Sequence, residues 1–174
     1  MNKKLQTYPM RILIMLFFLN LTVTAKEIPY IDLAEETDRQ VIVDREKGQY
    51  LGHPTTTLLN DGKTVLCVYP KGHGRGPIVY KRSNDAGKTW SKRLHTPTTW
   101  ASSKEVPTLF QVTDKKGNNR IIMFSGLYPI RMAYSNDEGK NWSELKSIGE
   151  FGGIVAMGTM VSVKGNPGHY RALF

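Results

Sequence analysis

The sequence predicts an all-β fold, and three observations lead to that prediction. Beyond residue 25, apolar residues come in short runs of four to seven bounded by Gly, Asn, Asp and Pro, as in strands joined by tight turns. No stretch of the chain sustains the helical period of 3.6 residues over three turns. The chain also repeats itself with a period of just over 50 residues, which indicates an array of similar units.

The clearest repeat is an octapeptide. Residues 83–90 read SNDAGKTW and residues 135–142 read SNDEGKNW, an offset of 52 residues with six of eight positions identical. Upstream, residues 54–59 align with residues 107–112 at an offset of 53. The two copies therefore share more than one turn, and the repeating unit spans about 50 residues.

Each repeat predicts four strands, a pattern typical of one blade of a β-propeller. The strands are expected at residues 53–59, 64–69, 77–83 and about 89–94 in the first repeat, at 106–112, 119–124, 130–135 and about 141–145 in the second, and at 158–163 and 170–174 in an incomplete third. Residues 33–38 predict at most one helical turn. Residues 40–43 predict a lone strand that completes the last blade as a clasp.

The first 25 residues predict a secretory signal. Lys3, Lys4 and Arg11 precede an apolar run at residues 12–23, and small residues follow where a signal peptidase cleaves. This run is shorter than the roughly 20 residues of a membrane-spanning helix. We therefore expect a secreted or periplasmic protein with no membrane insertion after cleavage, its residues 26–174 belonging to one propeller domain. The alternative is a signal that stays attached as an anchor.

Charge and cysteine content narrow the classes of partner. The formal net charge of +9 includes three basic residues of the predicted signal, so the rest of the chain carries +6. Because Lys and Arg are scattered through turns, no nucleic-acid partner is expected. Cys67 is the sole cysteine, which excludes an intramolecular disulfide and favours a buried thiol over a nucleophile. No metal and no cofactor are expected, and the complete protein is expected to be a monomer.

The octapeptide falls between the third and fourth predicted strands, where it predicts a hairpin turn. Its glycine can adopt positive φ, its aspartate can accept backbone N–H groups, and its tryptophan can cover the apolar side. These residues are Asp85, Gly87 and Trp90 in the first copy and Asp137, Gly139 and Trp142 in the second. The alternative is a calcium site, but one carboxylate per turn falls far short of six to eight oxygen ligands.

The two octapeptides resemble the Asp-box, or BNR, repeats of the sialidase (neuraminidase) superfamily, which forms six-bladed β-propellers. The resemblance covers residues 40–174 and implies the N-terminal two to three blades of such a propeller. It also implies a secreted exo-glycosidase that hydrolyses terminal, anionic sugars from a glycan or oligosaccharide substrate by a retaining two-step mechanism. Asp boxes occur in non-sialidase propellers too. The alternative is therefore a non-sialidase or non-catalytic carbohydrate-binding propeller.

One side of the predicted blades carries the candidate substrate-binding residues. Because every turn reverses the chain, the loops that precede the first strand and those that join the second to the third lie on the same side, where sialidase-like propellers have their active site. The loop at residues 70–77 there is rich in glycine and contains Lys71, His73 and Arg75. These residues are expected to bind a carboxylated or sulfated sugar. The alternative is a basic hairpin exposed to water.

His53 and Glu105 stand at equivalent starts of the first strand in the two repeats, and both are expected to be catalytic, with Glu105 as the acid/base. Arg131 is a further candidate for substrate binding. The alternatives are an ordinary hydrogen-bonded histidine, a surface carboxylate and an arginine whose stem packs. Trp100 and Tyr128 are expected either to stack on sugar rings or to fill the core.

The chain departs from the sialidase pattern at two places. Residues 51–54 read LGHP where the resemblance implies the first arginine of a triad, and the loop at 70–77 has no carboxylate where it implies the acid/base aspartate. The nucleophilic tyrosine, its glutamate partner and the later arginines would lie beyond residue 174. Six blades need roughly 300 residues, so the chain is expected to be a fragment that is inactive alone.

Overall fold

The computed structural model describes residues 28–126, 129–151 and 158–173. The chain divides into two compact units, Met1–Glu35 and Glu36–Phe174. Of the first unit, residues 28–35 are described, and there the Asp32 carboxylate accepts the N–H of Ala34 at 2.9 Å. The predicted signal at residues 1–25 lies outside the described residues. Within the described ranges, no helix has both the length and the apolar character needed to cross a membrane.

The second unit is built from antiparallel β-sheets, which confirms the all-β prediction. The first sheet has the order β1-β2-β3, with β1 at Thr55–Leu58, β2 at Val65–Pro70 and β3 at Ile78–Ser83. The second has the order β4-β5-β6-β7, with β4 at Thr108–Thr113, β5 at Asn119–Ser125, β6 at Ile130–Ser135 and β7 at Lys146–Gly149. A third pairs β8 at Thr159–Ser162 with β9 at Tyr170–Leu173. Short 3-10 turns occupy Thr37–Arg39 and Thr98–Ser102. The described strands do not close into a ring.

The predicted fourth strand is wrong in both repeats, because among the described residues the first sheet has only three strands and the fourth strand of the second sheet lies later in the chain. Residues 89–94 form no regular strand, and the fourth strand of the second sheet begins at Lys146 rather than near 141. The hydroxyl of Ser91 accepts the N–H of Arg82 at 3.0 Å, and that of Ser143 accepts the N–H of Tyr134 at 2.9 Å. In each sheet a side chain therefore replaces the backbone carbonyl that a regular ladder would supply.

The predicted clasp strand at residues 40–43 is also wrong, since no strand forms there. Val43 instead lies over one face of the first sheet, against Cys67, Tyr69 and Val79, and its carbonyl accepts a hydrogen bond from the Lys81 ammonium. It packs on a face and not at an edge, so it makes side-chain contacts in place of a ladder.

The main core lies between the first two sheets. Strand β2 alternates, so that Leu66 and Val68 face this core while Cys67 faces away from it. Trp100 is fully buried in the same core, so it fills the core and does not present a sugar platform; Tyr128 lies outside the described residues. Cys67 is buried, which confirms the predicted buried thiol, and burial raises the pKa of this thiol to about 11.

The first strands of the two sheets are neighbours. The Thr55 hydroxyl donates to the carbonyl of Pro107 at 2.9 Å, and the side-chain amide of Gln111 donates to the carbonyl of Leu58. Two consecutive repeats therefore adjoin through their first strands. The residues that lead into these strands, His53 and Glu105, therefore lie in the same region of the fold.

Candidate functional site

The first octapeptide folds into a hairpin turn held by one aspartate and one serine. Asp85 accepts the backbone N–H of Thr89 at 2.8 Å and its hydroxyl at 2.6 Å. The Ser83 hydroxyl donates to Asp85 at 2.7 Å and accepts the N–H of Gly87 at 2.8 Å. Because Thr89 and then Ser83 donate to the carboxylate, the pKa of Asp85 falls to about 2. The predicted hairpin role of Asp85 is confirmed.

The second octapeptide repeats this geometry. Asp137 accepts the backbone N–H of Asn141 at 2.8 Å and its side-chain amide at 2.6 Å, while Ser135 donates to Asp137 at 2.8 Å. Both carboxylate oxygens in each turn are therefore engaged by donors of the turn itself. In the parts of the chain that the structure describes, no three or more His, Cys, Asp or Glu side chains gather closely enough to hold a metal ion.

One property of these turns was missed by the sequence reasoning. Ala86 and Glu138 have φ of 58° and 60°, and the glycines that follow them, Gly87 and Gly139, have φ of 87° and 80°. Two successive residues with positive φ are what a type I′ hairpin turn requires. Only the second of the two is marked by glycine, so the first carries no sequence signal.

The basic loop closes tightly on itself and docks on Ser103, in the segment that leads into the second sheet. The N–H of Lys71 donates to the carbonyl of Pro77 at 2.9 Å, and the N–H of Gly76 donates to the carbonyl of Ser103 at 3.2 Å. A Cβ at Gly72 or Gly76 would lie 2.5 Å from a backbone carbonyl oxygen of the loop. The glycines thus allow a compact loop whose position is fixed at its base and on one flank.

His53 and His73 lie in contact at this end of the fold. Their Nε2 and Nδ1 atoms are 3.3 Å apart and their ring centroids 4.6 Å apart. The ring of Tyr50 lies 5.7 Å from that of His73 and 6.5 Å from that of His53. His53 has φ of 53°, a left-handed conformation that is uncommon outside glycine. The structure therefore brings together two of the predicted site residues and adds an aromatic neighbour that the sequence reasoning did not select.

Glu105 lies beside the tip of the same loop. Its Oε1 atom accepts the N–H of Val106 at 2.8 Å and is 3.7 Å from the position that a Cβ on Gly74 would occupy. Its carbonyl accepts hydrogen bonds from Ser103 at 2.8 Å and Ser125 at 2.9 Å, and both serines are buried. The backbone of Glu105 is therefore fixed by buried groups while its half-buried carboxylate reaches the loop.

The three cations assigned to substrate binding differ in their surroundings. Lys71 forms an ion pair with Glu46 at 3.0 Å. Arg131 donates to the carbonyl of Ser102 at 2.8 Å, and burial lowers the pKa of its guanidinium. These surroundings fit an arginine that packs in the fold better than one that binds substrate. Arg75 is exposed, and within the described part of the chain its side chain makes no hydrogen bond or ion pair. Among the described residues, Arg75 is thus the exposed cation of the three that has neither an ion pair nor a side-chain hydrogen bond.

An ion-pair network that the sequence reasoning missed lies next to the loop. Asp44 accepts hydrogen bonds from the Tyr69 hydroxyl and, at 2.7 Å, from Arg93, which also pairs with Glu46. Burial favours the neutral acid, but the bonds from Arg93 and Tyr69 outweigh it, so the pKa of Asp44 lies below its ordinary value. Hydrogen bonds from Arg93 and then Lys71 likewise lower the pKa of Glu46. The partners are 25 to 49 residues apart in the sequence, so no local pattern indicates them.

Comparison of the chain with protein-family models finds no match, and comparison with curated proteins finds none either. The structure brings together the imidazoles of His53 and His73 and the carboxylate of Glu105 beside the loop that carries Arg75. A carboxylate and imidazoles can donate and accept protons, and a guanidinium can pair with a carboxylate or sulfate. The arrangement therefore has the groups needed to bind an anionic ligand and to move a proton beside it.

Proposed function

We propose that this protein is a secreted Asp-box propeller of sialidase type, and that it hydrolyses a terminal anionic sugar from a glycan. The two octapeptide turns support the fold, since they repeat the same hydrogen bonds at Asp85 and Asp137 at the ends of two successive sheets. The adjoining first strands of those sheets, joined from Thr55 to Pro107, support an arrangement of blades around a common axis. The proposed substrate class rests on the loop and not on the turns.

The observation that carries the proposed activity is the approach of the basic loop to Glu105. Oε1 of Glu105 lies 3.7 Å from the place of a Cβ on Gly74, one residue from His73 and from Arg75. In this proposal Arg75 pairs with the carboxylate or sulfate of the sugar, and Glu105 serves as the acid/base. Lys71, already neutralised by Glu46, supports the loop.

A second candidate is binding without hydrolysis, and one observation favours it. A retaining glycosidase uses two carboxylates about 5–5.5 Å apart, or a tyrosine as nucleophile. Near the loop, the carboxylate of Glu46 is paired with Lys71 and Arg93, which leaves Glu105 as the one unpaired carboxylate among the described residues of the site. Under this alternative the same surface retains an anionic glycan and releases no sugar.

The test combines hydrolysis and retention. The protein, expressed from its complete gene, is assayed with a fluorogenic sialoside and with aryl glycosides of uronic and sulfated sugars, and it is passed over beads that carry the same sugars. Glu105→Gln is compared with Glu138→Gln, which removes an exposed carboxylate on an octapeptide turn. Hydrolysis that is lost in Glu105→Gln and kept in Glu138→Gln is expected. Retention without turnover would move the assignment to the binding alternative, and neither turnover nor retention would refute both.

A further inference from the structure

We infer that a cleft between β3 of the first sheet and the second octapeptide binds a neutral oligosaccharide. The cleft has a volume of about 700 Å³, within the range of roughly 300–1,000 Å³ found for pockets that hold small ligands. One wall is the segment after the first octapeptide, at residues 94–97, and the other is the second octapeptide with Glu144. The described residues that line the cleft include neither His53 nor Glu105 nor any residue of the basic loop. The cleft is therefore separate from the site proposed for hydrolysis.

The floor of the cleft is aromatic. The ring of Trp142 stands edge-on to the ring of Tyr80 at 5.8 Å and to the ring of Trp100 at 5.4 Å, and both of these neighbours are buried. Trp142 itself is half-buried and lines the cleft, where Leu94 and Pro97 add apolar surface. Because core rings hold Trp142 in place, it offers a rigid apolar face to a sugar ring and loses little side-chain freedom on binding.

The equivalent tryptophan of the first octapeptide is placed differently. Trp90 donates its indole N–H to the carbonyl of Gly87, within its own turn, at 3.0 Å. In the second octapeptide the carbonyl of Gly139 accepts the hydroxyl of Tyr80 at 2.7 Å instead, which joins this turn to β3. The cleft lies where these two elements meet. The first octapeptide contributes no residue to the described lining, so its equivalent positions can serve as controls.

The rim of the cleft carries both donors and acceptors of hydrogen bonds. The Glu144 carboxylate accepts bonds from the hydroxyl of Thr99 and, at 2.9 Å, from its N–H, and these bonds lower the pKa of Glu144. A carboxylate has about four acceptor sites, so this exposed group can also accept bonds from sugar hydroxyls. Lys140 and His95 are exposed on the same rim and can donate to them.

The charges around the cleft favour a neutral ligand. Arg82 and Lys140 are positive, whereas Glu144 is negative and Asp137 of the same turn acts electrostatically on Tyr80 in the floor. A polyanion therefore meets no excess of positive charge here. An apolar peptide would bury charged groups of the rim without giving them partners, which is unfavourable. A neutral pyranose has both an apolar ring face and hydroxyls that donate and accept, so it matches the floor and the rim together.

The experiment titrates the protein, expressed from its complete gene, with neutral hexasaccharides by calorimetry and tryptophan fluorescence. The probes are cellohexaose, maltohexaose, mannohexaose, xylohexaose and N-acetylchitohexaose, with a heparin hexasaccharide as the anionic comparison. Lys140→Ala is compared with Lys88→Ala, and Trp142→Phe with Trp90→Phe, because each pair changes the same position of the two octapeptides. Circular dichroism melts establish that each variant is folded. Lys140 is exposed, so its variant decides the matter if Trp142→Phe is not folded.

The expected result is binding of at least one neutral hexasaccharide, one per chain, with a Kd at or below about 1 mM. Losing one hydrogen bond or one aromatic contact should weaken this binding about threefold to tenfold in Lys140→Ala and in Trp142→Phe. Lys88→Ala and Trp90→Phe should bind like the parent protein. No binding of any neutral probe at about 10 mM, unchanged binding by Lys140→Ala, equal losses in the control variants, or tighter binding of the heparin hexasaccharide than of every neutral probe would each overturn the proposal. Because the measurement is binding of neutral sugars, its outcome does not depend on whether an anionic sugar is hydrolysed.

Discussion

Replacing Gly139 by alanine is expected to destabilise the protein more than replacing Gly87, although the two glycines are equivalent in sequence. Their φ values are 80° and 87°, so alanine costs about 1–2 kcal/mol of backbone strain at either position. At Gly87 the added methyl would meet Cζ2 of Trp90 at 3.8 Å, which is ordinary van der Waals contact. Strain is therefore nearly the whole cost there.

At Gly139 the added methyl has no space. It would lie 2.5 Å from the hydroxyl oxygen of Tyr80 and 2.7 Å from Cδ1 of Leu66, and overpacking of this kind costs about 1–3 kcal/mol. The Tyr80 hydroxyl also donates to the Gly139 carbonyl at 2.7 Å, and displacing this buried bond costs about 1 kcal/mol more. Gly139→Ala should thus lose about 2–4 kcal/mol beyond Gly87→Ala.

The assay is thermal unfolding followed by circular dichroism and tryptophan fluorescence. For a chain of this length, 1 kcal/mol corresponds to about 2–4 °C in Tm, so the two variants should differ by roughly 4–16 °C. Gly117→Ala measures strain alone, because Gly117 has φ of 83° and nothing lies within 4 Å of its Cβ position. Equal Tm values for all three variants would refute the packing of the second octapeptide turn against the first sheet.

Three further predictions follow from the same structure. The pKa of Asp85 is about 2 in the folded protein, below its ordinary value near 4, so the carboxylate stabilises the fold at higher pH and loses that effect as pH falls from about 4 to 2. Asp85→Asn should therefore flatten the pH dependence of the free energy of unfolding, measured with urea, over this window. An unchanged slope would contradict this prediction. Trp100→Ala removes a fully buried ring and should lower the free energy of unfolding by about 3–5 kcal/mol in the same urea assay. A loss under 1 kcal/mol would contradict this prediction. Arg75→Met should reduce retention on anionic-glycan beads more than Lys71→Met, because Lys71 is already paired with Glu46; equal losses would show that the loop does not distinguish the two cations.

The parts of the fold that were predicted well depend on local chemistry. The octapeptide turns were assigned correctly because Ser, Asp and Gly at fixed spacing satisfy the turn from within, as the Asp85 and Asp137 bonds show. The second and third strands were placed to within two residues in both sheets, since their apolar runs are bounded by turns. Short-range hydrogen bonding and apolar runs are properties of a sequence segment by itself.

The parts that were predicted poorly depend on partners distant in sequence. A serine hydroxyl at Ser91 or Ser143 can bond its own strand or water, and nothing in the sequence shows that it replaces a ladder bond. The apolar residues at 40–43 could pack at either an edge or a face of a sheet. In the structure Val43 packs on a face of the first sheet, a contact that the local sequence does not indicate. Arg131 was selected for its charge, whereas its environment is set by the carbonyls of the 3-10 turn at Thr98–Ser102.

The segment at residues 43–46 links the packing of the first sheet to the charge of the candidate site. Asp44 accepts a hydrogen bond from Tyr69 of the first sheet, and Arg93 forms ion pairs with both Asp44 and Glu46. Glu46 also pairs with Lys71 at the base of the basic loop. Because these groups are partly buried, their interactions are screened less than those of fully exposed pairs. The segment thereby compensates the charge at the base of the loop and leaves the exposed charge at Arg75. An anionic ligand would then be attracted towards Arg75 and the neighbouring histidines.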